Sequence, residues 1–195
     1  MGIFAEGIES LKLACSLVLL VPALGVALMG RRRVWLVPAW ILTVTLITWL
    51  GFARWWSLRD TGFWHVLAGV ILVALVALAW NRDALGTDLA ATVVAAFLAG
   101  WTWDPCVGSE LGDIITSAPF RPWSQLGPSL LYFGGLFIPL ILLASIEVAV
   151  PKLGDWISHP SVRNAGLSIV MLVGALVSIT LFDDLASELA RRSSF

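Results

Sequence analysis

The sequence predicts an all-α integral membrane protein with about six transmembrane helices, and composition, run length and loop length each point there. Of its 195 residues, 59% are hydrophobic and 13% charged, and mean hydropathy is +0.92, far from the balance of a soluble domain. The apolar runs approach the roughly 20 residues that cross about 30 Å of hydrocarbon at 1.5 Å per helical residue. The connections between them, Gly30 to Arg33, Arg54 to Gly62, Asn81 to Asp88, roughly Thr116 to Pro128, and Pro151 to Asn164, are too short to form an extramembrane domain. Residues 1–195 therefore read as a single transmembrane domain.

The runs are Leu11 to Met29, Val34 to Ala53, Phe63 to Trp80, Leu89 to Trp103, Ser129 to Val150 and Ala165 to Phe182. The first has the outline of a signal peptide. Glu6 and Glu9 stand where a basic region is expected, however, and further spans follow, so it reads as a retained helix. The fourth run is short and leads into Asp104, Pro105, Glu110 and Asp113, which predicts a helix that ends there or continues, broken, through Ile115. Such a break at membrane depth needs protein or a wet cavity around the freed backbone groups. Gly134–Gly135 and Gly25 with Gly30 read as helix-packing surfaces.

Arg31, Arg32 and Arg33 follow the first run directly and place that loop in the cytoplasm, with both termini outside after six spans. Under this topology nine of the thirteen acids lie on the outer side and give it a negative field. Most of the eleven tryptophans fall near the two predicted interfaces, where indole rings anchor.

Several function classes drop out. A net charge of −1 without a basic stripe argues against a nucleic-acid partner. Two cysteines, Cys15 and Cys106, rule out a four-cysteine zinc site but allow one pair. His65 and His159 are too far apart in sequence to suggest a metal or haem site, so no metal is expected. Glu147, near the end of the fifth run, reads as reaching for the interface.

The most informative stretch is Ala99 to Gly112, AGWTWDPCVGSELG, which combines a cysteine, a helix-breaking proline, flanking glycines and acids beside an apolar span. Pro105 removes a backbone donor, and Gly108 and Gly112 permit close approach of another backbone. Cys106 would then lie at a break. Cys15 and Cys106 are three spans apart, so in two inverted three-helix halves, 1–87 and 88–195, they would occupy corresponding positions. That repeat rests on topology alone, since the halves have no evident sequence identity.

Spans four and five, AAFLAGWTWDPCVGSELGDIIT and LLYFGGLFIPLILLASI, resemble the second half of the CcdA/DsbD family of membrane thiol-disulfide electron carriers. Gly100, Trp101, Thr102, Pro105, Cys106 and Gly108 match its Gly-Trp-Thr-Pro-Cys-x-Gly helix. Tyr132, Gly135, Ile138 and Pro139 match its Tyr-x-x-Gly-x-x-Ile-Pro helix. Trp103 and Asp104 stand as an insertion, and Ala14 precedes Cys15 where the family carries proline.

The resemblance implies a Cys15–Cys106 pair in a bacterial inner membrane. That pair would take electrons from cytoplasmic thioredoxin and pass them to an extracytoplasmic thioredoxin-like protein, often for cytochrome c biogenesis, without a bound organic cofactor. Pro105 and Pro139 would break their helices to give access from each side, and Gly108 and Gly112 would permit the movement. Asp104 and Glu110 are read as modulators, because an acid two residues before Cys106 disfavours its thiolate by like charge and slows exchange. The competing expectation is a membrane scaffold or accessory subunit that keeps the fold without the chemistry and packs into a larger bioenergetic complex. A small transporter, suggested by broken helices and acids, is a third.

Overall fold

The computed structural model describes residues 2–13, 16–29, 33–53, 62–81, 85–103, 109–149 and 159–178, and no strand occurs among them. The helices are α1 (Ile3–Glu9), which continues into a 3-10 turn (Ser10–Lys12), α2 (Leu17–Met29), α3 (Arg33–Phe52), α4 (Gly62–Asn81), α5 (Leu85–Thr102), α6 (Ser109–Ser117), α7 (Pro122–Leu136), α8 (Ile138–Ala149) and α9 (Pro160–Ser178). Leu42, Leu142 and Leu172 are all more than half exposed. Lipid, not water, suits such a surface.

By length and composition α3, α5 and α9 can each cross a membrane as one helix. The count rises to five if two bent pairs are each one span. α4 lies over the third predicted run and is apolar over Val66–Asn81. Every predicted run thus has a helix on it, but two are bent: the fifth, where Pro139 is expected to break it, and the first, where no bend is expected.

The first run is divided. Its start forms the 3-10 turn that extends α1, which meets α2 at 90°. The fifth run bends by 65° between α7 and α8. Pro139 explains the second bend, because it cannot donate to the Gly135 carbonyl one turn back and its ring crowds that turn. The helix therefore ends at Phe137, whose N–H donates to the Phe133 carbonyl at 2.9 Å.

Two further expectations need correction. The stretch Thr116 to Pro128 is not a loop, since α6 runs to Ser117 and α7 starts at Pro122. Proline at the first helical position suits that start, because its missing N–H would have had no partner there. Asp88 is not in a loop either but in the first turn of α5.

α2, α3 and α5 contact one another at the centre; α4 and α9 pack on one side, and α7 and α8 contact α3 on another. Small residues set the closest crossings. A Cβ at Gly166 would overlap the Gly25 carbonyl and Met29 nitrogen of α2, and one at Gly69 would overlap Ser178 and Gly174 of α9. Without a hydrophobic drive between helices in lipid, such backbone approach is what holds them. Gly25 and Gly135 are packing surfaces as expected, whereas a Cβ at Gly134 would meet only the Phe4 ring at 3.9 Å. Several hydroxyls are satisfied locally: Thr48, Thr92, Thr102 and Ser178 each donate to a carbonyl four residues back.

Candidate functional site

Cys15, Asp104, Pro105, Cys106 and Gly108 lie outside the described residues. Their neighbours in sequence are described. Residues 14–15 separate the 3-10 turn and Leu13 from Ser16 and α2, and residues 104–108 separate Trp103 at the end of α5 from the start of α6. The bordering elements meet, because α2 contacts α5 and α1 contacts α6.

The fourth run ends as a helix at Thr102, before Pro105, as the proline predicts. Gly100 lies against Val44 of α3. Val44 is eight residues before the end of α3, or about 12 Å along its axis, so α5 ends well inside the bundle. Trp103 is buried and its ring lies 5.5 Å from Phe133. From there an aromatic row runs through Phe137, 6.2 Å from Phe133, to Trp40, 6.3 Å further. The indole nitrogen of Trp103 and the hydroxyl of Ser16 are buried without a hydrogen-bond partner. Both border the cysteine intervals. Orphaned buried polar atoms are uncommon, and the indole nitrogen of Trp40 and the hydroxyl of Thr45 are further examples in this bundle.

α6 is amphipathic, with Leu111, Ile114 and Ala118 buried and Asp113 and Thr116 exposed. Its first amides meet an acid from another helix. The Glu6 carboxylate accepts from the Glu110 N–H at 2.9 Å and the Leu111 N–H at 3.2 Å. A helix N-terminus leaves four such donors without internal partners and carries partial positive charge, so a carboxylate is the fitting cap. Glu110 itself is half-buried, and Gly112 sits in α6 with its carbonyl accepting from Thr116 at 2.9 Å.

α1 is held on its other flank by α7. A Cβ at Gly7 would overlap the Tyr132 carbonyl, and one at Gly135 would overlap the Phe4 carbonyl. The Tyr132 hydroxyl donates to Ser10 Oγ at 2.8 Å, and Ser10 Oγ donates to the Glu6 carbonyl at 2.9 Å. Tyr132 and Gly135, singled out by their motif, are thus the α1-binding face of α7, and Pro139 follows the bend as the second residue of α8.

Sequence reasoning missed the parts of Glu6 and Ser10. The available signal was their i, i+4 spacing in a short apolar segment, since an acid near the hydrocarbon is functional by default. It also misread Arg33 as part of a loop. Arg33 is the first residue of α3, 1% exposed, and its Nε donates to the Ala27 carbonyl at the end of α2. Among the described residues no group of three or more His, Cys, Asp or Glu could hold a metal ion.

Compared with known proteins, the chain is 30% identical over 114 residues to the cytochrome c-type biogenesis protein CcdA of Halalkalibacterium halodurans. The match covers 55% of this chain and 47% of that protein, so the chain matches about half the length of this relative. No protein-family model matches the chain. No solved structure matches it.

Proposed function

We propose that this chain is a membrane thiol-disulfide oxidoreductase in which Cys15 and Cys106 form a reversible pair. It would pass reducing equivalents from a cytoplasmic thioredoxin to an extracytoplasmic thioredoxin-like protein, in support of cytochrome c biogenesis. The observation that carries this reading is the similarity to a cytochrome c-type biogenesis protein. Contact between the described elements that border the two cysteines in sequence, α2 with α5 and α1 with α6, adds to it.

In the reaction, one thiolate of the reduced pair attacks a disulfide sulfur of the acceptor, and the displaced acceptor sulfur takes up a proton. The second thiolate then attacks the mixed disulfide and releases the acceptor's other thiol. Two electrons and two protons have moved, and the pair is left as a disulfide that the donor dithiol reduces by the reverse steps. Bridging requires Cα atoms within about 7 Å of each other in at least one state. Pro105 and Pro139, with Gly108 and Gly112, would supply the breaks that admit each partner, and Asp104 and Glu110 would tune the thiolate.

Ala14 in place of a proline before Cys15 favours the second reading, a scaffold that keeps the fold and packs into a larger membrane complex. One experiment separates the two. Cys15→Ser and Cys106→Ser are made singly, and the oxidised fraction of extracytoplasmic thiol proteins is measured by alkylation mass shift. Loss of reduction in both supports exchange. Intact reduction in both, with loss of a larger complex on deleting the chain, establishes the scaffold.

A further inference from the structure

Glu6 and the N-terminus of α6 are separated by more than 100 residues, yet their contact is direct. Glu6 Oε2 and Oε1 accept from the consecutive amides of Glu110 and Leu111. Neither partner is well placed alone. A half-buried carboxylate and two helix-terminal amides at the end of an apolar bundle would each lose solvation, and each supplies what the other lacks. Three further contacts fix the helix that carries the carboxylate: the crossing of Gly7 and Gly135, the Tyr132–Ser10 hydrogen bond, and the Ser10–Glu6 bond within α1. Glu6 is therefore presented to α6 by a segment seated on α7.

We propose that Glu6 is a positioning residue for thiol exchange. It fastens α1, which precedes Cys15 in sequence, to α6, which follows Cys106, so these two bordering elements keep a set relation while partners come and go. The proposal rests on the thiol-disulfide reading above. Its physical content is that Glu6 acts through the backbone of α6. Removing it should slow exchange between the two halves of the site without weakening the docking of a thioredoxin, a split that a simple loss of fold would not produce.

The test uses the full chain in lipid nanodiscs and two measurements on Glu6→Ala, Glu6→Gln and the exposed neighbour Glu9→Ala. The first is hydrogen exchange at the Glu110 and Leu111 amides. The second is turnover with reduced thioredoxin as donor, resolved into kcat and KM. Glu6→Ala should speed amide exchange at both positions about tenfold, as loss of a charged hydrogen-bond acceptor implies. It should lower kcat by a similar factor at unchanged KM. Glu6→Gln, which keeps one acceptor oxygen, should recover part of both effects, and Glu9→Ala should leave both at wild-type values. Should Glu6→Ala fail to fold, Glu6→Gln carries the comparison.

Unchanged amide exchange would overturn the clamp. Faster amide exchange with wild-type kcat, in a chain whose wild type turns over, would reduce Glu6 to a structural cap and overturn the positioning role. A wild-type chain that exchanges no thiols sinks the oxidoreductase reading itself and the positioning role with it, an outcome the amide measurement keeps separate from failure of the clamp.

Discussion

The corner formed by α1, α6 and α7 and the corner formed by α4, α5 and α9 hold their helices by the same rule with opposite sign. At the first, the exposed groups are amides at the start of α6, and a carboxylate from Glu6 meets them. At the second, they are carbonyls at the end of α4, where Arg163 donates to Ala79 at 2.6 Å. Arg33 repeats the second pattern on α2. Helix ends carry partial charge, positive at the N-terminus and negative at the C-terminus, so acids suit one and guanidinium groups the other. In a bundle where water is scarce, a chain break persists only if a side chain of the correct sign reaches it.

The corners differ in what else holds them. α4 and α9 are about 20 residues long and the second corner adds an ion pair, Arg163 to Asp88 at 3.7 Å, between side chains 13% and 6% exposed. The first corner contains short helices held by glycine crossings, neutral hydroxyl bonds and the Glu6 cap, and its α1 precedes Cys15 while its α6 follows Cys106 in sequence. Length and buried charge make one corner a fixed frame. The other is assembled from contacts that a single side chain can upset.

The sharpest way to break this contrast is Arg163→Ala, which strips the Ala79 carbonyl and leaves Asp88 buried beside a lost cation. A cost of about 3 kcal/mol is expected, read as lowered thermal stability in detergent, with Asp88→Ala in the same chain restoring part of it. A double variant no better than the single would show that the pair itself contributes little.

Gly135→Val should come next, at about 2 kcal/mol, because its branched side chain has nowhere to go but into the Phe4 backbone. Gly134→Val supplies the contrast: only an aromatic edge lies near it, so protease sensitivity of residues 2–13 should rise for the first variant and stay put for the second. The smallest effect belongs to Tyr132→Phe, which loses one neutral hydrogen bond and leaves Ser10 bonded to the Glu6 carbonyl. About 1 kcal/mol is expected. A loss as large as that of Gly135→Val would mean that the hydroxyl, not the crossing, mounts α1.

Much of the fold could be read from the chain without coordinates. Apolar run length located a helix on every predicted span, because crossing hydrocarbon imposes one length and one satisfied backbone on any sequence. Pro105 announced the end of α5 for a local reason, the missing donor. Pro139 likewise announced the break in the fifth run, although prolines also stand within α2 and α3 without ending them. Whether a proline bends a helix depends on what neighbouring helices do for the freed carbonyl.

The candidate site was legible as a list of residues and not as an arrangement. Composition and run length by themselves determined an all-helical membrane chain, and the segment around Cys106 marked where its regularity fails. Only the tertiary structure decided that Glu6 caps α6, that Arg33 turns inward onto α2, and that Tyr132 and Gly135 form the seat of α1. The reason is one of range. Hydrophobic run length and proline act on residues within a turn or two, so they are written locally. The partner of a freed amide or carbonyl can come from any helix that packs nearby, and which helix that is depends on the whole bundle.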